Sequence, residues 1–202
     1  MGHAAYSPRP PHPRHPHCLG RQIGHPAGMR RRQFIAGTLL TGLMAAGSPL
    51  LAGVPEDFTV ESPVDGKKFT LSKARGSWVV LHFLLKTECP FCLRHTREYA
   101  RRASELKEAT QVFLKPDSVE EIRAWAEPLK ESGITVYRDA DAKLAEAFSI
   151  PGGYRFHGQV VHYPALLILD ATGKEVFRHV GKDNGDRFGF DALVAKLQEL
   201  RK

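Results

Sequence analysis

The residues of this chain best placed to do chemistry lie in the stretch LKTECPFCLRH, where Cys89 and Cys92 stand two residues apart. Cysteines at this spacing suit a redox pair, half of a metal site, or a peroxide-reducing cysteine with a companion. A nucleophilic cysteine reacts as the thiolate, and a free one has a pKa of about 8.5. A position at the start of a helix lowers it, because unpaired backbone N–H groups and the positive end of the helix dipole face the sulfur. Pro90 follows Cys89 and suits the first helical position, where its missing N–H costs nothing. Cys92, one turn on, can close a short disulfide with Cys89, so the pair can carry two electrons. A closed zinc site wants four ligands, and two local cysteines do not supply them.

Other titratable groups stand near the pair. His82 precedes Phe83 on an apolar run and is either a proton-transfer group or a satisfied core histidine. Glu88 would oppose a thiolate on Cys89 unless it points to solvent. Arg94, His95 and Arg97 are expected on a solvated helix face, with thiolate support or partner recruitment as the alternative.

The elements that must position these residues are legible. FTVES and KKFTL flank the Asp-Gly turn of PVDGK and predict a hairpin. SWVVLHFLL is nearly continuous in its apolar character, as for a strand covered on both faces. From Pro90 the residues Cys92, Thr96, Tyr99, Ala103 and Leu106 make a helical stripe. TQVFLK predicts a strand. Ser118 and Glu121 form a capping-box pattern opening a helix that Pro128 should kink or end. ITVYRD, AKLAEAF, PALLILD, EVFRHVG and FDALVAKLQEL complete the order β-β-β-α-β-α-β-α-β-β-α. That is an α/β layered domain, with a mixed central sheet flanked by helices and an N-terminal β-hairpin extension.

A strand WVVLHF, then CPFC opening a helix, then Tyr163-Pro164 starting PALLILDATGKEVFRHVG resembles the thioredoxin-fold redoxins. The lead-in DFTVESPVDGKKFTLSKARG resembles two of their branches, the exported thioredoxin-like reductases and the peroxiredoxins of the AhpC/TSA group. The resemblance implies a thioredoxin-like fold over residues 54–202 and a thiol-disulfide oxidoreductase in which Cys89 attacks and Cys92 resolves. It also implies that Pro164 is a cis-proline lying against the disulfide and that Tyr163 helps set the redox poise, the two together binding substrate. His82 falls where thioredoxins often place a buried acid that handles protons for the second cysteine. Partners would be a protein disulfide or thiol and a redox partner, such as a membrane thiol donor; no cofactor is implied.

The branches differ in spacing. In the reductase pattern the first cysteine follows the strand aromatic by five residues, whereas Phe83 to Cys89 is six. The peroxiredoxin pattern, aromatic-x-Pro-x-x-x-Thr-x-x-Cys, puts its reactive cysteine on Cys92. Its proline, threonine and late arginine then fall on Leu85, Cys89 and Pro164. Dithiol–disulfide exchange is therefore the first expectation, and peroxide reduction by Cys92 the second. The third is a Cu(I) carrier using Cys89, Cys92 and His162, since thiolates prefer that ion.

The chain has 202 residues and a formal charge of +7, but residues 1–52 hold six Arg and no acidic residue. Residues 53–202 are nearly neutral, with 23 Lys+Arg against 22 Asp+Glu, so the concentrated basic surface needed for nucleic-acid binding is missing. The basic segment reads as an address. Arg31-Arg32-Gln33-Phe34-Ile35 resembles a twin-arginine export signature, and a run without charge follows to Val54. Residues 29–53 are expected to be a signal peptide, cleaved to leave a periplasmic protein that meets the membrane only during export. An uncleaved anchor is the alternative. Residues 1–28, rich in Pro, His and Arg, form a leader that cannot build a core, or precede a true start at Met29. Cys18 would leave with this segment.

Overall fold

The computed structural model describes residues 55–86 and 89–202. The expectations for residues 1–53, with Cys18 and the twin-arginine segment, and for Glu88 lie outside the described residues.

The N-terminal hairpin forms as the sequence predicts. Strand β1 (Thr59–Glu61) pairs antiparallel with β2 (Lys68–Thr70), with Val60 opposite Phe69 and both buried. Gly66 takes a φ of 70°, the left-handed conformation that an Asp-Gly turn supplies at low cost. The apolar run becomes β3 (Trp78–Phe83), and its side chains alternate between two cores. Val79, Leu81 and Phe83 join one; Val80 and Leu84 join the other. Each such fully buried side chain contributes about 1.5–3 kcal/mol, which makes β3 a firm base for the segment that follows it.

Helix α1 (Pro90–Arg101) leaves the end of that segment, then β4 (Ala109–Lys115), α2 (Val119–Ala126), β5 (Val136–Arg138) and α3 (Lys143–Ala147) follow. The capping box is complete: Glu121 N–H donates to Ser118 Oγ at 3.3 Å, and Ser118 N–H to Glu121 Oε2 at 2.9 Å. The α-helix stops before Pro128, and a 3₁₀ turn over Glu127–Ser132 ends at Gly133. Helix α1 is shorter than its predicted stripe; Ala103 and Leu106 fall in a separate 3₁₀ turn, with Leu106 buried and Ala103 exposed.

One element was not foreseen. Between α3 and the last strands, β6 (Tyr154–Phe156) and β7 (Gln159–Val161) form a separate antiparallel pair, turning through His157 and Gly158, both at positive φ. Strands β8 (Ala165–Leu169) and β9 (Glu175–Val180) and helix α4 (Phe190–Leu200) close the fold. The main sheet runs β2-β1-β5-β4-β3-β8-β9, with β3, β4 and β5 parallel and the remaining neighbours antiparallel. Helices α1, α2 and α4 supply the core on one face, and α3 with the hairpin residues supplies the other. This is a thioredoxin-like fold with a mixed sheet, as expected. Among the described residues no helix is long and apolar enough to cross a membrane.

Candidate active site

Leu84 is held to the sheet by donating to the Leu114 carbonyl at 2.9 Å, and the backbone then leaves toward α1. Cys89 is the residue capping α1, with extended φ and ψ, and Pro90 takes the first helical position as the sequence implied. The Cys89 sulfur accepts the Cys92 backbone N–H at 3.3 Å, doing for one orphan amide what a serine or aspartate cap would do. Both cysteines are reduced and buried.

A residue that the sequence reading missed joins them. Arg187, in the loop after β9, brings Nη2 to 3.1 Å from Cys92 Sγ and 3.4 Å from Cys89 Sγ. Cys92 Sγ also accepts the Leu85 N–H at 3.2 Å. Hydrogen bonding from Cys92 and the Arg187 charge hold Cys89 down to about 6 against the effect of its burial. Cys92 moves the other way: burial pushes its thiol well up, reinforced by its bond to Cys89, and Arg187 and Lys115 offset this only in part. The two sulfurs are thus divided into a ready thiolate and a held thiol. The arginine of the peroxiredoxin pattern is absent from its own position, as read from the sequence. That position is Pro164, just before β8, but Arg187 reaches the sulfurs from another part of the chain.

His82 lies behind this pair and touches neither sulfur through a hydrogen bond. Its Nε2 meets Gln111 Oε1 at 2.8 Å and its Nδ1 meets His95 Nε2 at 3.1 Å, while its ring stacks on Phe113. Gln111 donates its own Nε2–H to the Ala109 carbonyl, which turns Oε1 toward His82. His82 must then carry its proton on Nε2 and accept from His95 on Nδ1, leaving His95 with its lone pair on Nδ1. Burial holds His82 down to about 4, and burial with the neighbouring His82 holds His95 well below the ordinary imidazole range. Both are neutral bases at neutral pH. His95 is a correction: it is buried, although Arg94 and Arg97 are exposed as expected. Three residues after Cys92, it falls on the inward stripe of α1.

The Tyr163–Pro164 peptide bond is trans, which corrects the expected cis form. For X-Pro the two forms differ by only about 0.5–1 kcal/mol, so surroundings decide. Here Tyr163 N–H donates to the Pro151 carbonyl and Gly181 N–H to the Pro164 carbonyl, carrying the backbone extended into β8. Pro164, His82, His95, His179, Asp186 and Arg187 all line one cavity of about 10 Å3, close to the least space that holds a water. Tyr163 lies half-buried with its ring against Tyr154 at 5.1 Å. His162 turns Nδ1 onto the Tyr163 carbonyl at 2.7 Å. No group of three or more His, Cys, Asp or Glu able to hold a metal ion assembles among the described residues. The Cys89, Cys92 and His162 set proposed for Cu(I) is therefore not brought together in this geometry.

The model of the AhpC/TSA family matches residues 54–176, more than half of the chain. The chain belongs to the AhpC/TSA family. Among curated proteins none matches it. Solved structures similar to this AhpC/TSA protein include the bacterioferritin comigratory protein of Xanthomonas campestris, studied for alkyl peroxide reduction. That one is 18% identical, with a TM-score of 0.61, covering 72% of this chain and 92% of its own. Peroxidoxin BcpB of Mycobacterium tuberculosis is 21% identical at a TM-score of 0.59, covering 72% and 94%. The exposed lipoprotein thioredoxin Etrx1 of Streptococcus pneumoniae is 24% identical at 0.55, covering 71% and 98%. At these identities the likeness establishes the fold, and the chemistry must come from this AhpC/TSA chain's own residues.

Proposed function

We propose that this chain is a thiol-disulfide oxidoreductase in which Cys89 attacks and Cys92 resolves. The supporting observation is the division between the sulfurs, with Cys89 held down at the start of α1 and Cys92 held up by burial. The Cys89 thiolate attacks one sulfur of a substrate disulfide; that bond breaks, and the departing thiolate takes a proton. Cys92 then gives up its proton and attacks Cys89 Sγ, releasing the second substrate thiol. Two electrons pass to the substrate, and a Cys89–Cys92 disulfide remains for a partner dithiol to reduce. Run backwards, the same steps oxidise a substrate dithiol.

A second reading has its own support. Arg187 and the Leu85 N–H converge on Cys92 Sγ, the arrangement suited to a thiolate that attacks a peroxide oxygen. The O–O bond would break, leaving a sulfenic acid on Cys92 and releasing an alcohol or water. Cys89 would then attack that sulfur, expelling water and forming the same disulfide. The test is to measure protein-disulfide reduction and peroxide consumption in wild type, Cys89→Ser and Cys92→Ser. Exchange predicts disulfide reduction lost in Cys89→Ser and slow peroxide turnover throughout. One fast cycle of peroxide consumption that survives in Cys89→Ser but not in Cys92→Ser overturns it.

The same proposal includes export through the twin-arginine-type segment, supported by Arg31-Arg32 before an uncharged run. The working place would be the periplasm, with a membrane thiol donor or a re-oxidising partner to set direction. Expressed in a bacterium with that route, wild type should fractionate with the periplasm, whereas Arg31→Lys with Arg32→Lys should stay inside. A full-length wild-type protein retained in the cytoplasm would sink this part.

A further inference from the structure

The hairpin β6–β7 has no predicted counterpart; besides burying Phe156 in the core, it reaches the loop that carries Arg187. Tyr154 Oη accepts the Asn184 N–H at 2.9 Å, and Arg187 Nε donates to the Asn184 carbonyl at 3.1 Å. The far side of the same guanidinium meets both sulfurs. A single residue, Asn184, therefore joins the hairpin to the cation over the dithiol. We infer that Tyr154 is a positioning residue, and that the β6–β7 hairpin sets the reactivity of Cys89 by holding Arg187 on the sulfurs through Asn184. The inference deepens the proposed function and rests on its reading of the sulfur pair.

The rest of the loop explains why this tie matters. Its ends are fixed, by Gly181 N–H to the Pro164 carbonyl at 2.8 Å and by Tyr99 Oη donating to the Phe188 carbonyl at 3.1 Å. Between them the turn is braced from within: Asp183 Oδ1 accepts the Gly185 N–H at 2.7 Å, and Asp186 Oδ2 accepts the Lys182 N–H at 2.9 Å. These bonds shape the turn without aiming Arg187, and the Tyr154 contact ties its middle to a separate element. Tyr154 is itself held by packing, its ring 5.1 Å from Tyr163 and 6.2 Å from Phe156, so removing only the hydroxyl spares the hairpin.

Charged and titratable groups from several elements face Arg187 or the sulfurs. Lys115 from β4 acts on Cys92, while His95 from α1, His82 from β3, His179 from β9 and Asp186 from the loop share a cavity with Arg187. Among the described residues Arg187 is the one cation in hydrogen-bond contact with either sulfur. A change in its placement should therefore be read directly in the ionisation of Cys89.

The experiment measures the rate of iodoacetamide alkylation at Cys89 against pH, with the full-length reduced protein and peptide mass mapping to separate Cys89 from Cys18 and Cys92. Arg187→Met should raise the midpoint by about one pH unit, the worth of one hydrogen bond to a charged group. Tyr154→Phe should raise it by roughly half as much, with far-ultraviolet dichroism unchanged. Added to Arg187→Met, Tyr154→Phe should produce no further shift, because both act through one path. A Tyr154→Phe midpoint equal to wild type, beside a shifted Arg187→Met, overturns this inference alone. So does an equal shift by Tyr154→Phe in both backgrounds. No shift in Arg187→Met overturns the inference together with the reading of the sulfur pair.

Discussion

Replacing Cys92 by serine is expected to stall the protein on its substrate, with Cys89 joined covalently to half of a disulfide and turnover down by on the order of 10^3-fold or more. Serine can stand in for the buried group at 92, where the neighbouring contacts are the Leu85 N–H and Arg187. It cannot break a sulfur–sulfur bond, so the first half of the exchange survives and the second does not. The trapped species should be visible as a mass increase on the peptide containing Cys89 and should vanish with added dithiothreitol. Its rate of formation should climb with pH as Cys89 loses its proton and level off above that range. Cys89→Ser, by contrast, should trap nothing, because the remaining thiol is buried and held protonated. A mixed disulfide found on Cys92 in Cys89→Ser would reverse the assignment of the two sulfurs.

The parts of this site visible in the sequence are those encoded by neighbouring residues. The apolar run of β3, the Cys89-Pro90 start of α1 and the Ser118–Glu121 capping box each depend on contacts a few positions apart. Their local preferences and the tertiary fold agree, so a pattern read along the chain finds them. His95 escaped because it sits on the buried stripe while its type suggests water. What makes it tolerable inside is its bond to His82, thirteen positions back. The hairpin β6–β7 escaped for another reason. Three-residue strands carry too little alternation to read, and the residue before Gly158 in its turn is His157, at positive φ, rather than the asparagine or aspartate that would announce one.

Arg187 was invisible for the most instructive reason. It lies in KDNGDRFG, a polar loop without period, and its partners are more than ninety positions away. No spacing rule links it to Cys92. The peroxiredoxin pattern leads toward position 164, just before β8, where the chain has proline. The charge over the dithiol is nonetheless supplied, from a loop held by the hairpin and by Pro164 itself. The trans form of Tyr163–Pro164 belongs to the same arrangement, since the Pro164 carbonyl anchors Gly181 at the root of that loop.

A second large effect is expected at Lys115, whose substitution by methionine should cost about 1.5–3 kcal/mol of stability, the usual worth of a hydrogen bond to a charged group. Lys115 is fully buried at the end of β4. Its Nζ lies 3.1 Å from Asp117 Oδ2, 2.7 Å from the Leu85 carbonyl and 4.5 Å from the centre of the Trp125 ring. Methionine fills the stem's volume but removes the positive charge, so the buried Asp117 carboxylate loses this ion pair and the Leu85 carbonyl its ammonium donor. Urea unfolding should show the loss as a lower midpoint, and a domain of this size has only about 5–15 kcal/mol to lose. Asp117→Asn in the Lys115→Met background should recover part of the deficit, because the buried carboxylate that lost this ion pair is then replaced by a neutral amide. A cost below about 1 kcal/mol for Lys115→Met alone would contradict the ion-pair reading. The position also bears on the sulfurs, because Leu85 is gripped at both ends: its carbonyl by Lys115, its N–H by Cys92 Sγ at 3.2 Å. Freeing the carbonyl lets the amide move, and with it goes one of the hydrogen bonds that fix the resolving sulfur in place.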